Sequence, residues 1–423
     1  MNTPMTYHGT WWFPTEGLIS PNRKHCKTLT GTLTYYGDKA SVLELYFTPQ
    51  DYEGVISTTN QPDVLFGETA DGCKLSLFNA RWISRQGWSS VVYEVEYIVE
   101  GIHLLSIEDS IISRVDIQYP NLVNWCHKSR IENKILLNED VVLTLDMHSR
   151  NYLFESEIED GVRIHTIPYI HYNFKRQGVY NFAINEDTVC CITFDNPKGL
   201  RESFGYIIEF SKFLSFAIYA KQSPTSIKLR LKDGGDVRVL FRIRESATPF
   251  PHNVIKFNQF SDKIPAMLAK WHEVYTELSP IVKLLFNNGN EDIYDTSNFV
   301  GLAQGLDGYF KRFVRRLENK KDIRKYADGI TKLIERLKDV DAVKTCNIDA
   351  EILADTRHKY THLTPEGENG KAVKGDELLW LTHKCRVLLT CCILDCLGLT
   401  NEEINICCKD SAIENIVDNI PFL

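Results

Sequence analysis

The chain has 423 residues, of which 43% are hydrophobic and 25% charged, and its formal net charge is −8. This composition is typical of a folded globular protein with two or three domains, and it excludes disordered and fibrous chains. The acidic balance also excludes a surface that is basic all over and binds nucleic acid everywhere, but it leaves room for a local basic patch.

Membrane and secreted classes are disfavoured as well. No stretch approaches the roughly 18 consecutive apolar residues of a membrane span. The N-terminal MNTPMTYHGTWWFP has neither the basic nor the apolar region of a secretory leader. We therefore expect a cytoplasmic protein without a membrane partner.

The cysteines are predicted to be buried thiols. Six of the twelve fall between Cys385 and Cys408, within an apolar helical pattern, and a reducing cytoplasm keeps such thiols free. Cys391 and Cys396 are the only pair there that suggests zinc. Because no second pair stands at finger or ribbon spacing, the sequence favours no structural metal.

The first half of the chain is predicted to be β-rich. GTLTYYG, SVLELYF, CKLSLFNARWI and SVVYEVEYIVEG are short, often alternating runs rich in Val, Tyr, Thr and Leu, separated by turn residues such as YGDK and ADGC. VVLTLDM, YNFAINE, CCITFDN, SIKLRLKDGG and VRVLFRI continue the pattern. LRESFGYIIEFSKFLSFAIY interrupts it with apolar residues at helical spacing. Many short strands with turn signals predict a sandwich-like domain.

The second half is predicted to be helical. SATPFPHN, with two prolines, marks a domain edge near residue 250. Beyond it, a period of 3.6 residues predicts helices over 261–288, 297–318, 321–340, 349–363 and 375–397, and a short helix over 400–418. The predicted fold class is α+β multidomain, with a β-rich sandwich-like domain over 1–250 and an all-α bundle over 251–423.

A basic stretch lies within the helical half. KRFVRRLENKKDIRKYADGITKLIERLK, residues 311–338, holds eleven Lys and Arg against four Asp and Glu, a local net charge of +7. A solvated helix face and an electrostatic footprint for RNA phosphates both remain open. For the second interpretation, Arg315, Arg316, Lys320 and Lys321 are the candidate RNA-binding residues.

The stretch DTRHKYTHL, residues 355–363, concentrates ionisable side chains on one predicted helix. His358 and His362 are four residues apart, about 40° around a helix, so they share a face as two metal ligands would. A zincin-type site needs glutamate after the first histidine, and Lys359 stands there. Since no third ligand can be named, the sequence favours no metal.

Arg357 and His362 suggest a different chemistry. A histidine can take the proton of a ribose 2′-hydroxyl or give one to the departing 5′-oxygen, and an arginine can hold the scissile phosphate. Five residues separate the two, roughly 140° around an ideal helix. They therefore do not stack, although the arginine side chain can swing or the pair can converge across a two-fold interface. An arginine paired with an acid and histidines that decorate a surface helix is the alternative.

The context of this pair resembles a known family. Arg357 and His362 form an R-x4-H motif on a helix of an α-helical bundle, which resembles the HEPN ribonuclease superfamily and, more closely, its ApeA-type branch. TRHKYTH matches the T-R-N-Y-x-T-H-like signature of that branch at Thr356, Arg357, Thr361 and His362, with His358 where asparagine is typical.

The likeness extends over most of the chain. NFVGLAQGLDGYFKRF resembles the first core helix of the family, with Asp307 where glutamate is commoner, and GDELLWLTHKCRVLLTCCILDCLGLTNEEI resembles its closing helices. GTLTYYG and FGETADGCKLSLF resemble the ApeA N-terminal domain.

The resemblance implies an anti-phage, abortive-infection protein whose HEPN domain is a metal-independent endoribonuclease without cofactors. It implies His362 as general acid/base and Arg357 as phosphate holder, with His358, Tyr360 and Asp307 in support. The expected products carry a 2′,3′-cyclic phosphate and a 5′-hydroxyl. The implied partners are RNA such as host tRNA, a phage-derived trigger sensed through the β domain, and a second copy in a homodimer or larger homo-oligomer. The alternative is a non-catalytic sensor in which the HEPN bundle only mediates assembly.

Overall fold

The computed structural model describes residues 4–14, 28–47, 62–86, 89–126, 131–135, 141–145, 152–177, 179–243, 253–286, 296–316, 323–365 and 370–420. The chain divides into two compact units. The first comprises Met1–Ser211 and Gln222–Ser246, and the second comprises Lys212–Lys221 and Ala247–Leu423. The domain boundary at residue 250 stays a prediction.

The first unit is built on antiparallel strands. Their bounds are β1 Met5–Trp12, β2 Thr28–Tyr35, β3 Ser41–Tyr46, β4 Val64–Thr69, β5 Lys74–Phe78, β6 Arg81–Gln86, β7 Ser90–Val95, β8 Tyr97–Glu100, β9 Ile112–Gln118, β10 Ile131–Ile135, β11 Val141–Leu145, β12 Glu155–Glu159, β13 Val162–Gln177, β14 Val179–Lys198, β15 Ser226–Leu231 and β16 Asp236–Phe241. Fourteen of them form one sheet in the order β12-β13-β14-β9-β15-β16-β8-β5-β4-β1-β2-β3-β7-β6, and β10 pairs with β11.

Alternation explains why these segments are strands with one buried face. In β3, Leu43 and Leu45 are fully buried while Glu44 between them is partly exposed, as the two-residue period of a strand requires. Leu43 and Leu45 pack with Trp11 of β1 in the core of this half of the sheet. Gly67 of β4 permits that packing, because a Cβ there would lie 2.2 Å from the Trp11 ring.

The sequence is least informative about strand length. YNFAINE and CCITFDN, predicted as separate strands, are parts of the single strand β14, which pairs with β13 from Val162↔Phe194 to Gln177↔Val179. The predicted helix after β14 is present as Leu200–Ile218.

The helical bounds are α1 Leu122–Trp125, α2 Leu200–Ile218, α3 Phe257–Phe260, α4 Ile264–Leu285, α5 Thr296–Tyr309, α6 Tyr326–Arg336, α7 Asp341–Cys346, α8 Ala350–His362, α9 Asp376–Cys396, α10 Asn401–Cys408 and α11 Ala412–Asp418. A π-helical segment, Phe310–Arg315, continues α5. None of the described helices is long and apolar enough to cross a membrane.

The core of the helical unit is apolar. Trp271 of α4, Phe299 and Leu302 of α5, Leu353 of α8 and Leu388 of α9 are almost completely buried. At the contact between α5 and α9, a Cβ on Gly305 would lie 2.9 Å from the Leu389 side chain, so a glycine permits the close approach.

One buried arginine secures the ends of two helices. Arg386 of α9 donates through Nη1 to the Leu285 carbonyl oxygen at 2.7 Å, and through Nη2 to Asn298 Oδ1 at 3.2 Å. Leu285 ends α4, where carbonyl groups lack partners within the helix. Arg386 thereby fixes the end of α4 and the start of α5 against α9.

The predicted fold class is confirmed: antiparallel sheet dominates the N-terminal part, and helices dominate the C-terminal part. The predicted single helix over 400–418 is wrong, because it consists of α10 and α11. Asp410 between them has a left-handed backbone (φ 45°), and the side chain of Ser411 caps α11 by accepting a hydrogen bond from the Ile413 N–H. A left-handed residue interrupts a helix, and a serine is a preferred helix start.

Candidate functional site

The R-x4-H motif lies in α8, a helix with defined ends. The Asp349 carboxylate accepts hydrogen bonds from the Glu351 and Ile352 N–H groups, at 2.8 and 3.0 Å, as an N-cap does. At the other end Leu363 adopts a left-handed conformation (φ 52°), and the Thr364 N–H bonds to the Lys359 carbonyl oxygen at 3.2 Å. The helix predicted over 349–363 is confirmed within one residue at each end.

Arg357 is held by its own bundle. Its Nη2 donates to Asp307 Oδ2 of α5 at 3.2 Å, and its guanidinium carbon lies 4.6 Å from the centre of the Tyr326 ring of α6. The Arg357 side chain is 27% exposed and that of Asp307 17%. The Lys311 ammonium also reaches Asp307 Oδ2, at 2.9 Å, so two cations share one carboxylate oxygen. The structure thus brings the predicted residues Arg357 and Asp307 together.

His358 and His362 occupy the exposed face at the end of α8. Both are exposed, and their ring centroids are 4.7 Å apart at an interplanar angle of 49°. The four-residue spacing places them together, as the sequence predicts. Among the described residues, no group of three or more His, Cys, Asp or Glu side chains is arranged to hold a metal ion.

Arg357 and His362 are not joined within one chain. In the described residues no hydrogen bond or ring contact links them; Arg357 contacts Asp307 and Tyr326, and His362 contacts His358. The reason is geometric, since residues five apart point in different directions around a regular helix. The Arg357 guanidinium group does not turn toward the histidine, because it is held by Asp307.

Thr356 and Tyr360 anchor the segment that follows α8. The Thr356 hydroxyl accepts from the Val373 N–H at 3.2 Å, and the Tyr360 hydroxyl donates to the Val373 carbonyl oxygen at 3.2 Å. The Tyr360 ring also meets Phe299 of α5 edge to face at 6.2 Å. Thr356 and Tyr360 therefore hold Val373 against α8, and the supporting role of Tyr360 in catalysis stays a prediction.

Much of the basic stretch is neutralised by nearby acids. Lys311 pairs with Asp307, Arg312 and Arg316 pair with Glu277 of α4, Lys332 pairs with Glu335, and Arg336 pairs with Asp395 of α9. Arg315 is partly exposed and Arg316 is exposed. Lys320 and Lys321 lie outside the described residues. Because exposed ion pairs are weak, a phosphate group can compete for these cations.

The contact between Tyr326 and Arg357 was not predicted from the sequence. Tyr326 begins α6, 31 positions before Arg357, and no spacing rule connects the two. Burial raises the pKa of the Tyr326 phenol well above its usual value, partly offset by the positive charge of Arg357. A neutral aromatic ring beneath a guanidinium group is a cation–π arrangement. The only sequence signal is an aromatic residue in the basic stretch, RKYADG.

Comparison with known families matches both parts of the chain. Residues 6–283 match the model described as ApeA N-terminal domain 1, and residues 300–403 match the model described as Apea-like HEPN. No curated protein and no solved structure matches the chain. The HEPN match contains Asp307, Tyr326, Arg357 and His362 on three different helices. The chain therefore belongs to the ApeA family of HEPN-containing anti-phage proteins, and it carries both the N-terminal domain and the HEPN domain of that family.

Proposed function

We propose that the chain is an endoribonuclease that acts in anti-phage defence by cleaving RNA without a metal ion. HEPN domains are generally ribonucleases, and this chain has an Apea-like HEPN domain. The observation that carries the proposal is the exposure of the two motif residues, Arg357 and His362. Arg357 is fixed at a partly exposed position while His362 is exposed on the same helix, so both groups are accessible to a substrate.

The proposed step is attack by a ribose 2′-oxygen on the adjacent phosphorus. His362 takes the 2′-hydroxyl proton, the new O–P bond closes a 2′,3′-cyclic phosphate, and the bond to the 5′-oxygen breaks. A histidine then gives a proton to that oxygen, leaving a 5′-hydroxyl. The Arg357 guanidinium offsets the charge that builds on the phosphate oxygens, the kind of electrostatic effect that carries much of enzymatic catalysis.

The proposed site is completed by a second copy of the chain. In one copy Arg357 and His362 diverge around α8, so two helices must meet for an arginine and a histidine to flank one phosphate. Leu363, directly after His362, is 84% exposed. An apolar side chain that is exposed beside the polar motif is a suitable element of a dimer interface, since interfaces bury apolar contacts at their centre.

The proposed cellular setting rests on the membership in the ApeA family. We assign the protein to the cytoplasm, with host RNA such as tRNA as substrate and a phage-derived component as trigger. The N-terminal unit would restrain the nuclease until that trigger arrives. Arg315 and Arg316, on the π-helical segment Phe310–Arg315 and just beyond it, would guide RNA toward the motif.

The test compares purified wild-type protein with the His362→Ala variant on total RNA, with and without EDTA, after exposure to lysate from phage-infected cells. Wild type should yield fragments with cyclic-phosphate and 5′-hydroxyl ends in both reactions, and the variant should yield far fewer. In parallel, cells expressing each protein are challenged with phage. No cleavage by triggered wild type, together with protection by His362→Ala, would leave the bundle as a non-catalytic assembly module. Cleavage that EDTA abolishes would favour a metal site at His358 and His362.

A further inference from the structure

Tyr326 lies where it can set the orientation of Arg357. It is the first residue of α6 and is partly buried. Its hydroxyl donates to the Ala303 carbonyl oxygen of α5 at 3.1 Å, which fixes one end of the ring. The other contact is the guanidinium group of Arg357, whose carbon lies 4.6 Å from the ring centre.

Two contacts restrain the guanidinium group in different ways. Asp307 binds only Nη2, and a single hydrogen bond leaves a planar group free to turn about that bond. The Tyr326 ring supplies a surface, because a guanidinium group stacks on an aromatic face as well as donating in its own plane. Together the carboxylate and the ring restrain the guanidinium group more than either contact does alone.

The remaining donors of Arg357 show what this orientation leaves available. Nε is buried and has no hydrogen-bond partner. Nη1 makes no hydrogen bond within the described part of the chain. A buried donor without an acceptor is unusual and costly, and Asp307 alone does not explain why Nε faces the interior. The Tyr326 ring, 4.6 Å from the guanidinium carbon, is a second contact that favours this buried position.

We propose that Tyr326 is a positioning residue for Arg357, acting through its aromatic face, so that the exposed edge of the guanidinium group meets the scissile phosphate in a fixed orientation. This inference rests on the proposed nuclease function. It separates the ring, which orients Arg357, from the hydroxyl group, which only anchors α6 to Ala303.

The first test compares Tyr326→Phe with Tyr326→Leu in the full-length protein. Phenylalanine keeps the aromatic face and loses the hydroxyl, so the kcat for RNA cleavage should stay close to that of wild type. Leucine keeps the apolar volume but lacks an aromatic face. Small misplacements of a catalytic group lower the reaction rate by up to about 100-fold. We therefore expect kcat to fall roughly 10- to 100-fold with KM nearly unchanged. Equal losses in both variants, or full activity of Tyr326→Leu, would overturn the proposal.

The second test does not depend on cleavage. In protein labelled with ¹⁵N-arginine, the Arg357 Nε–H resonance is assigned from its disappearance in Arg357→Lys. A ring stacked beneath the group should shift this resonance upfield in wild type and in Tyr326→Phe, and the shift should vanish in Tyr326→Leu. An unshifted wild-type resonance refutes the contact even if Tyr326→Leu does not fold. A shifted resonance in a wild-type protein that never cleaves RNA refutes the nuclease function and leaves the contact standing.

Discussion

The two ends of the motif on α8 differ in their contacts with the rest of the bundle. We call Thr356 and Arg357 the held end, and His362 and Leu363 the open end. At the start, Thr356 is fully buried and bonded to Val373, and Arg357 is held by Asp307 and Tyr326. At the end, His362 is exposed and Leu363 is 84% exposed. The same helix thus carries an arginine that contacts other side chains of its own chain and a histidine that is exposed. Electrostatic stabilisation requires orientation before the reaction, whereas proton transfer requires access to the substrate.

The largest expected effect is at the open end. His362→Ala should lower the kcat for RNA cleavage by roughly 10²- to 10⁴-fold, the usual contribution of a general acid or base. Because His362 is exposed, the free energy of unfolding should stay within about 0.5 kcal/mol of wild type. Cleavage rates and denaturant unfolding of the same preparation check both statements.

His358→Ala is the matched control, since His358 is equally on the exposed face of α8 and its ring lies 4.7 Å from that of His362. If His358 only assists His362, its loss should cost much less activity than the loss of His362. Equal losses of activity in the two variants, together with wild-type cleavage that EDTA abolishes, would instead indicate that the two histidines are ligands of one metal ion.

At the held end, Arg357→Lys should lower kcat by about 10²- to 10³-fold, the range for removing one donor to a developing negative charge. Lysine keeps the positive charge but not the planar, forked donors that stack and bind at once. Arg201→Lys is the control, because Arg201 pairs with Glu108 at the surface and has no proposed role in RNA cleavage. Equal activity of Arg357→Lys and wild type would mean that Arg357 supplies only charge.

The ends of α8 were predictable from the sequence because the signals are local. Asp349 is a typical N-cap, and the polar, glycine-containing stretch after His362 marks the end of the helix. The shared face of His358 and His362 follows in the same way from their spacing. The break at Asp410 was missed because no proline or glycine marks it, and its signals are the left-handed backbone of Asp410 and the single N-cap residue Ser411.

The contacts of Arg357 were not predictable from the sequence, because they come from two other helices. Asp307 lies 50 positions upstream and was connected to the motif only through family resemblance. Tyr326 had no such connection. Which side chains meet depends on how α5, α6 and α8 pack, and that packing follows from the whole apolar core, including Phe299 and Leu353, and not from any local pattern.

A smaller effect concerns stability: substitutions at Thr356 and Tyr360 should lower the free energy of unfolding more than His362→Ala does. Thr356→Val is nearly isosteric but removes the acceptor of the Val373 N–H. Unsatisfied polar groups of this kind cost about 1–3 kcal/mol. Tyr360→Phe removes the bond to the Val373 carbonyl oxygen and should cost about 0.5–1.5 kcal/mol. Urea unfolding measures both, and a Thr356→Val variant as stable as wild type would show that Val373 is not held through Thr356.

The smallest expected effect concerns Leu363, and it tests whether Leu363 stays exposed to solvent or is covered by a second copy of the chain. A leucine at φ 52° is strained, and glycine is the usual residue at such a helix end. In a single copy with Leu363 exposed, Leu363→Gly should therefore raise the free energy of unfolding by about 1 kcal/mol. If a second copy covers Leu363, the same change removes an apolar contact and weakens association. Unfolding at low protein concentration and sedimentation at high concentration measure the two effects separately. A variant that is more stable and associates as strongly as wild type would show that the proposed contact between two copies does not include Leu363.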